Sequence, residues 1–162
     1  MLFRSRFVHF DGGIGSQSAL RRRGYERAMR RLGLASRIHV VSSEYTESAG
    51  EKAAHTVLGL DELPTAILAA NDVNAIGVIT EFESQGVRVP DDVSVVGYDN
   101  THLSAMRHLS LTTMDQPRQE MGRLAAEAVL QRLRGERTEP VRHLLRPSLV
   151  VRNTTAPPGG KQ

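Results

Sequence analysis

The chain has 162 residues, 40% of them apolar and 24% charged, with no cysteine and no tryptophan. On the usual scale of about 100–200 residues per domain this is one domain, or two small lobes, with enough apolar mass to bury a core. A thiolate zinc site, an iron–sulfur cluster, a disulfide framework and a cysteine nucleophile are excluded, and the longest apolar runs, such as 66–70, fall far short of the ~20 residues that span a bilayer. The net charge of +3 divides unevenly: residues 1–43 hold nine arginines against Asp11 and Glu26, residues 44–116 three basic against twelve acidic residues, and residues 117–162 nine basic against four acidic. The basic ends ride on amphipathic helix patterns and carry only Phe3, Phe7, Phe10 and Tyr25 as aromatics. They read as solvated helix faces rather than a nucleic-acid footprint. The opening residues show no basic-then-apolar signal, so a cytoplasmic location is expected and no membrane contact.

In chain order, residues 6–10 read as a strand, followed by the glycine-rich turn 11–16 and a helix over 18–32 that ends at Gly33. A second strand at 38–42 and a helix at 47–60 come next. Pro64 and Thr65 then open a buried strand at 66–70. Asn71 and Asp72 end that strand, and Asp72 is read as the cap of a helix from 73 to about 85. Strands at 93–98 and 111–114 follow. Pro117 opens a long helix over 118–133, strands are expected at 141–145 and 148–152, and the chain closes in a flexible tail at 157–162. Strands that are apolar throughout, alternating with helices, predict an α/β fold with a mostly parallel sheet covered on both faces.

In such a sheet the ligand site lies beyond the carboxyl ends of the strands. That rule selects residues 11–16, 43–45, Asn71 with Asp72, and Asp99 with Asn100. A carboxylate that accepts from adjacent hydroxyls, an amide that donates and accepts, and an arginine fork suit a small polyol or sugar. Tyr45 would supply the apolar face on which a sugar or base packs. Each of these residues also has a local reading, since Asn and Asp are favoured in turns and caps.

Catalytic signatures are missing: there is no His-Glu-x-x-His, no lysine-bearing phosphate loop and no Gly-x-Ser-x-Gly elbow. The six histidines, His9, His39, His55, His102, His108 and His143, stand mostly singly on different elements, so no metal site is expected. The turn Gly12-Gly-Ile-Gly-Ser16 lacks the third glycine of a dinucleotide-binding loop, and Arg30 and Arg31 stand where that loop's acidic partner belongs. No cofactor, no catalytic residue and no enzymatic activity are expected.

The strand-end motifs resemble the LacI/GalR (lactose/galactose repressor) family of bacterial transcription regulators, in the C-terminal part of its effector-binding core. The segments that carry the likeness are Arg21-Arg-Arg-Gly-Tyr-Glu-Arg-Ala-Met29, Pro64-Thr-Ala-Ile-Leu-Ala-Ala-Asn-Asp72, Gly86-Val-Arg-Val-Pro-Asp-Asp-Val-Ser-Val-Val-Gly-Tyr-Asp-Asn100, Leu111-Thr-Thr-Met-Asp-Gln-Pro117 and Arg146-Pro-Ser-Leu-Val-Val-Arg152. The resemblance implies a three-layer, periplasmic-binding-protein-like type I fold with a sugar or small metabolite as effector in the cleft between two lobes. Carried over by motif, it implies that Arg21, Asn71 and Asp99 are polar contacts to the effector. Gln116 lies near the cleft, Tyr45 is the stacking aromatic, and Ser16 and Ser18 lie in a loop that contributes a hydroxyl.

Family members run to about twice this length. The likeness therefore implies one complete C-terminal lobe, residues 37–114 and 136–156, with residues 1–36 and 115–135 as a remnant of the N-terminal lobe. Strand 7–10 and the helices at 18–32 and 118–133 would then lack sheet neighbours, and the chain is expected to form a homodimer, swap elements or aggregate. Operator DNA would be met only through an N-terminal helix-turn-helix domain that this sequence does not contain. Two other readings stay open: a sugar-binding protein of a transport system, which shares the fold, and a truncated remnant that binds nothing.

Overall fold

The computed structural model describes residues 6–157. The chain alternates β1 (Phe7–Phe10), α1 (Ser16–Arg31), β2 (His39–Val41), α2 (Glu47–Leu58), β3 (Ala66–Leu68), α3 (Asp72–Ser84), β4 (Ser94–Tyr98), β5 (Thr112–Asp115), α4 (Arg118–Leu133) and β6 (Ser148–Val150), with short 3-10 turns at Ala35–Arg37 and His102–Ala105. The strands form one six-stranded sheet in the order β2-β1-β3-β4-β5-β6. The first five are parallel, and only β6 runs antiparallel, against β5. This is the expected α/β architecture: the five parallel strands leave their carboxyl ends on one edge of the layer.

One face of the sheet is closed by α2 and α3. Val8, Phe10, Ile67, Val93 and Val95 meet Ala53, Ala54, Val57, Ala75, Val78 and Phe82 in one apolar cluster. The two helices can cross this closely because glycine stands at both contact points. A Cβ on Gly50 would run into the Asn74 carbonyl, and one on Gly77 into the Glu47 carbonyl. The Thr46 hydroxyl caps α2 by accepting from the Ala49 amide at 3.2 Å. On the opposite face α1 lies over β1 and β2. There Tyr25 donates to the Phe7 carbonyl at 2.8 Å and accepts from the His39 amide at 3.1 Å, tying helix to strands.

Three expectations are corrected. Strand β1 is not a bare remnant of another lobe: it sits inside the sheet, paired with β2 on one side and β3 on the other. The boundary expected at residue 36 therefore falls inside a continuous sheet, because backbone pairing joins β1 to residues on both sides of it. The strand expected at 141–145 does not form; Val141 and Leu144 are exposed and no strand lies beside them among the described residues. Asp72 does not cap α3. That position belongs to Asn71, whose side chain accepts from the Asn74 amide at 2.8 Å.

The helix α4 has the bounds its sequence predicts but buries none of its residues, leaving Met121, Val129, Leu130 and Leu133 exposed. The expected tail lies, beyond Pro157, outside the described residues. Among the described residues no helix is long and apolar enough to cross a membrane.

Candidate functional site

At the carboxyl edge of the sheet, five loops converge. After β1, the turn through Gly12 and Gly13, both at φ 81°, leads into α1. The Tyr45 ring, from the loop after β2, lies so close over Gly12 that a Cβ there would fall 2.5 Å from it, so only glycine fits beneath. The Tyr45 hydroxyl shares a hydrogen bond of 2.9 Å with the buried Ser18 hydroxyl of α1. Asn71 donates to the Tyr45 carbonyl at 3.2 Å and caps α3 with its oxygen. Both ends of its amide are thus engaged in holding two loops together.

Arg21 reaches from α1 over the ends of β3 and β4. One guanidinium nitrogen donates to the Ala70 carbonyl. The guanidinium carbon lies 3.9 Å from the centre of the Tyr98 ring and 5.6 Å from that of Tyr45, the geometry of a cation held on aromatic faces. Asp99 follows Tyr98 directly, in the left-handed region at φ 114°. It accepts from Gln116, just beyond β5, at 2.6 Å. Burial pushes the Asp99 carboxyl above its ordinary range, while the Gln116 hydrogen bond and the charges of Arg21 and Arg118 pull it back.

Six of the seven residues singled out as ligand contacts, Arg21, Tyr45, Asn71, Asp99, Gln116 and Ser18, make hydrogen bonds or ring contacts at this edge. Ser16 lies at the first turn of α1, exposed. Asp72 lies beneath them, fully buried, and accepts from the Thr101 amide at 2.6 Å, from the Thr101 hydroxyl at 2.9 Å and from the Thr113 hydroxyl. It fastens the turn that carries Asp99 to α3 and β5. Sequence reasoning passed over Tyr98. Its signal was the alternation along β4, where Val93, Val95 and Gly97 face the core and leave the last aromatic on the face crossed by Arg21.

As chemistry, this edge offers a planar guanidinium, a carboxylate, a primary amide and an aromatic face, with no nucleophile beside a base. Among the described residues no three His, Asp or Glu side chains gather as a metal site would require.

Residues 8–155 match the periplasmic binding protein-like domain. The chain belongs to that family. It corresponds to the effector-binding core of the LacI/GalR regulators within it. It is 35% identical over 136 residues to the HTH-type transcriptional repressor CytR of Escherichia coli (strain K12), a match covering 83% of this chain and 40% of the repressor. The crystal structure of a LacI transcriptional regulator from a Rhodococcus species superposes with a TM-score of 0.90 at 37% identity, over 94% of this chain and 56% of that one. The complex of the transcriptional regulator CelR with cellobiose superposes with a TM-score of 0.82 at 29% identity, over 93% and 47%. The chain thus spans about 40% of the length of the curated relative and about half of the solved ones. The relatives are repressors and regulators, not enzymes.

Proposed function

We propose that this chain is the effector-binding part of a LacI-type transcription regulator and that its ligand is a sugar-like polyol held at the carboxyl edge of the sheet. The observation that carries the reading is the presence on one edge of an Arg21 fork, reaching over from α1, and an Asp99 carboxylate not paired with it in the loop after β4, beside the Tyr45 ring. Hydroxyl groups donate to the carboxylate and accept from the guanidinium, and an aromatic face takes the apolar side of a sugar ring or base. The cellobiose found in CelR supports a saccharide of this class.

The bare apolar face of α4 and the exposed Val141 and Leu144 fit a second lobe closing over this edge. Ligand bound between two lobes favours the closed arrangement by its differential affinity, and a DNA-binding part of the same regulator reads that shift. Operator DNA is then a partner of the whole regulator, a homodimer working in the cytoplasm, and not of the sheet edge itself.

Isothermal titration against ribose, cellobiose and a nucleoside tests the reading. A saturable heat with one of them, weakened about tenfold or more in Asp99→Ala, is expected. No heat from any of the three at millimolar concentration sinks the polyol assignment.

A further inference from the structure

Arg21 and Asp99 carry opposite charges in the same half-buried edge and feel one another's field, yet they do not pair. The hydrogen bond of Arg21 goes to the Ala70 carbonyl, and that of Asp99 comes from Gln116. An arginine side chain is long enough to swing through many rotamers, and a carboxylate is the partner that best fits its fork. Something must hold the guanidinium away.

We propose that Tyr98 is the positioning residue that keeps the Arg21–Asp99 pair open, its ring face carrying the guanidinium so that both charges stay free for a ligand. The inference rests on the ligand-binding reading above for its purpose, but not for its geometry. The ring is the nearer of the two aromatic faces to the cation, at 3.9 Å against 5.6 Å for Tyr45. Its backbone is fixed, because Tyr98 ends β4 in register with Met114 of β5 and the next amide, that of Asp99, donates to the Met114 carbonyl at 2.9 Å. The left-handed backbone of Asp99 and the hydrogen bond from Gln116 then set its carboxylate on the β5 side. Two consecutive residues so hold the two charges in place, one by its face and one by its turn. A guanidinium held over a ring face keeps N–H groups that do not point at the carboxylate free to meet hydroxyl oxygens.

The role needs the ring and not the hydroxyl, which distinguishes it from a direct contact to ligand. The charged groups bearing on Asp99 are Arg21, Asp72 and Arg118, and Arg21 is the one that lies over the Tyr98 ring.

The test is nuclear magnetic resonance on the whole chain without ligand, comparing the unsubstituted protein with Tyr98→Phe and Tyr98→Leu. The side-chain protons of Arg21 are expected upfield in the unsubstituted protein and in Tyr98→Phe, from the ring current, and at ordinary positions in Tyr98→Leu. The carboxyl carbon of Asp99 is expected to titrate lower in Tyr98→Leu than in the other two, as Arg21 closes on it. Unshifted Arg21 protons in the unsubstituted protein overturn the proposal even if the leucine variant does not fold. So does an Asp99 titration unchanged by leucine, or one moved equally by phenylalanine.

Titration of the same three proteins with ribose and cellobiose is the second arm. An affinity loss of about tenfold in Tyr98→Leu and less than about twofold in Tyr98→Phe is expected for whichever sugar binds. If neither sugar binds the unsubstituted chain, the ligand reading fails, while the ligand-free spectra still decide the role of Tyr98.

Discussion

Helices α3 and α4 have similar lengths, 13 and 16 residues, and both carry apolar residues at helical spacing. Seven residues of α3 are buried and none of α4. Part of the difference is composition, since α3 is the more apolar helix, and part lies outside the helices. α3 faces β4 and crosses α2 at paired glycines, so its apolar side meets a surface that the chain itself builds. α4 leaves the sheet after β5, and its apolar side meets no such surface among the described residues. Amphipathic patterning says that a helix wants a partner; it does not say that the partner is in the same stretch of chain.

The largest expected effects test the closed side. Phe82, in the last turn of α3, is fully buried in the apolar cluster. Phe82→Ala should cost about 3–5 kcal/mol, from lost burial and the cavity left behind, read as a lower midpoint in urea. A loss under 1 kcal/mol would mean that α3 is no better packed than α4. Asp72→Ala comes next. It leaves the Thr101 amide and two threonine hydroxyls without their acceptor, and about 1–3 kcal/mol is expected. Because that turn carries Asp99, a weaker ligand heat should accompany it.

Much of this division was legible in the sequence, for identifiable reasons. The bounds of α4 follow from Pro117 and the helix formers behind it, and the parallel sheet follows from strands apolar on both faces. What patterning could not reach was pairing. Residues 141–145 have strand-like composition but no neighbour to bond, and β1 was assigned to another lobe because nothing in a four-residue string says which strands flank it. Asn71 and Asp72 are both good caps; tertiary donors on Thr101 and Thr113 decide that Asp72 goes inward. In the candidate site, strand-end reasoning reached Tyr45, Asn71 and Asp99. The selection of Arg21 and Gln116 rested on the family likeness, since a residue in mid-helix carries no local sign that it spans two strands. Tyr98 escaped both routes because it is still inside β4 rather than in the loop beyond it, and an aromatic within a buried strand looks like core.

A smaller effect concerns the face under α1. His9 is buried against the Tyr25 ring, 5.3 Å between centroids, with Nδ1 at 3.1 Å from the Leu68 carbonyl and no hydrogen-bond partner for Nε2 among the described residues. Desolvation by burial lowers its pKa below the usual 6.5, against the opposing hydrogen bond to Leu68 and the charge of Asp11. The unfolded chain therefore binds this proton more readily than the folded one. The stability is fully present above about pH 6.5 and is lost as the pH falls through the lower folded value. Melting temperature should drop from pH 7 to pH 5, and His9→Gln should flatten that part of the profile. An unchanged slope in the variant would assign the acid sensitivity to other groups.

The smallest change in stability is expected on α4, where the comparison is sharpest. Leu130 and Leu133 are already 48% and 78% exposed, so replacing them with glutamine removes little burial and should cost less than about 0.5 kcal/mol. Their effect belongs to association instead. Like Met121 and Val129 on the same helix and Val141 and Leu144 in the following segment, they are exposed apolar side chains of the kind that drive self-association. Light scattering should find the unsubstituted chain larger than a monomer, and Leu130→Gln with Leu133→Gln should shift it toward one without moving the thermal midpoint. A unsubstituted chain that is monomeric and melts cooperatively would show that α4 needs no cover, and a double variant that loses several kcal/mol would show that the helix already has one.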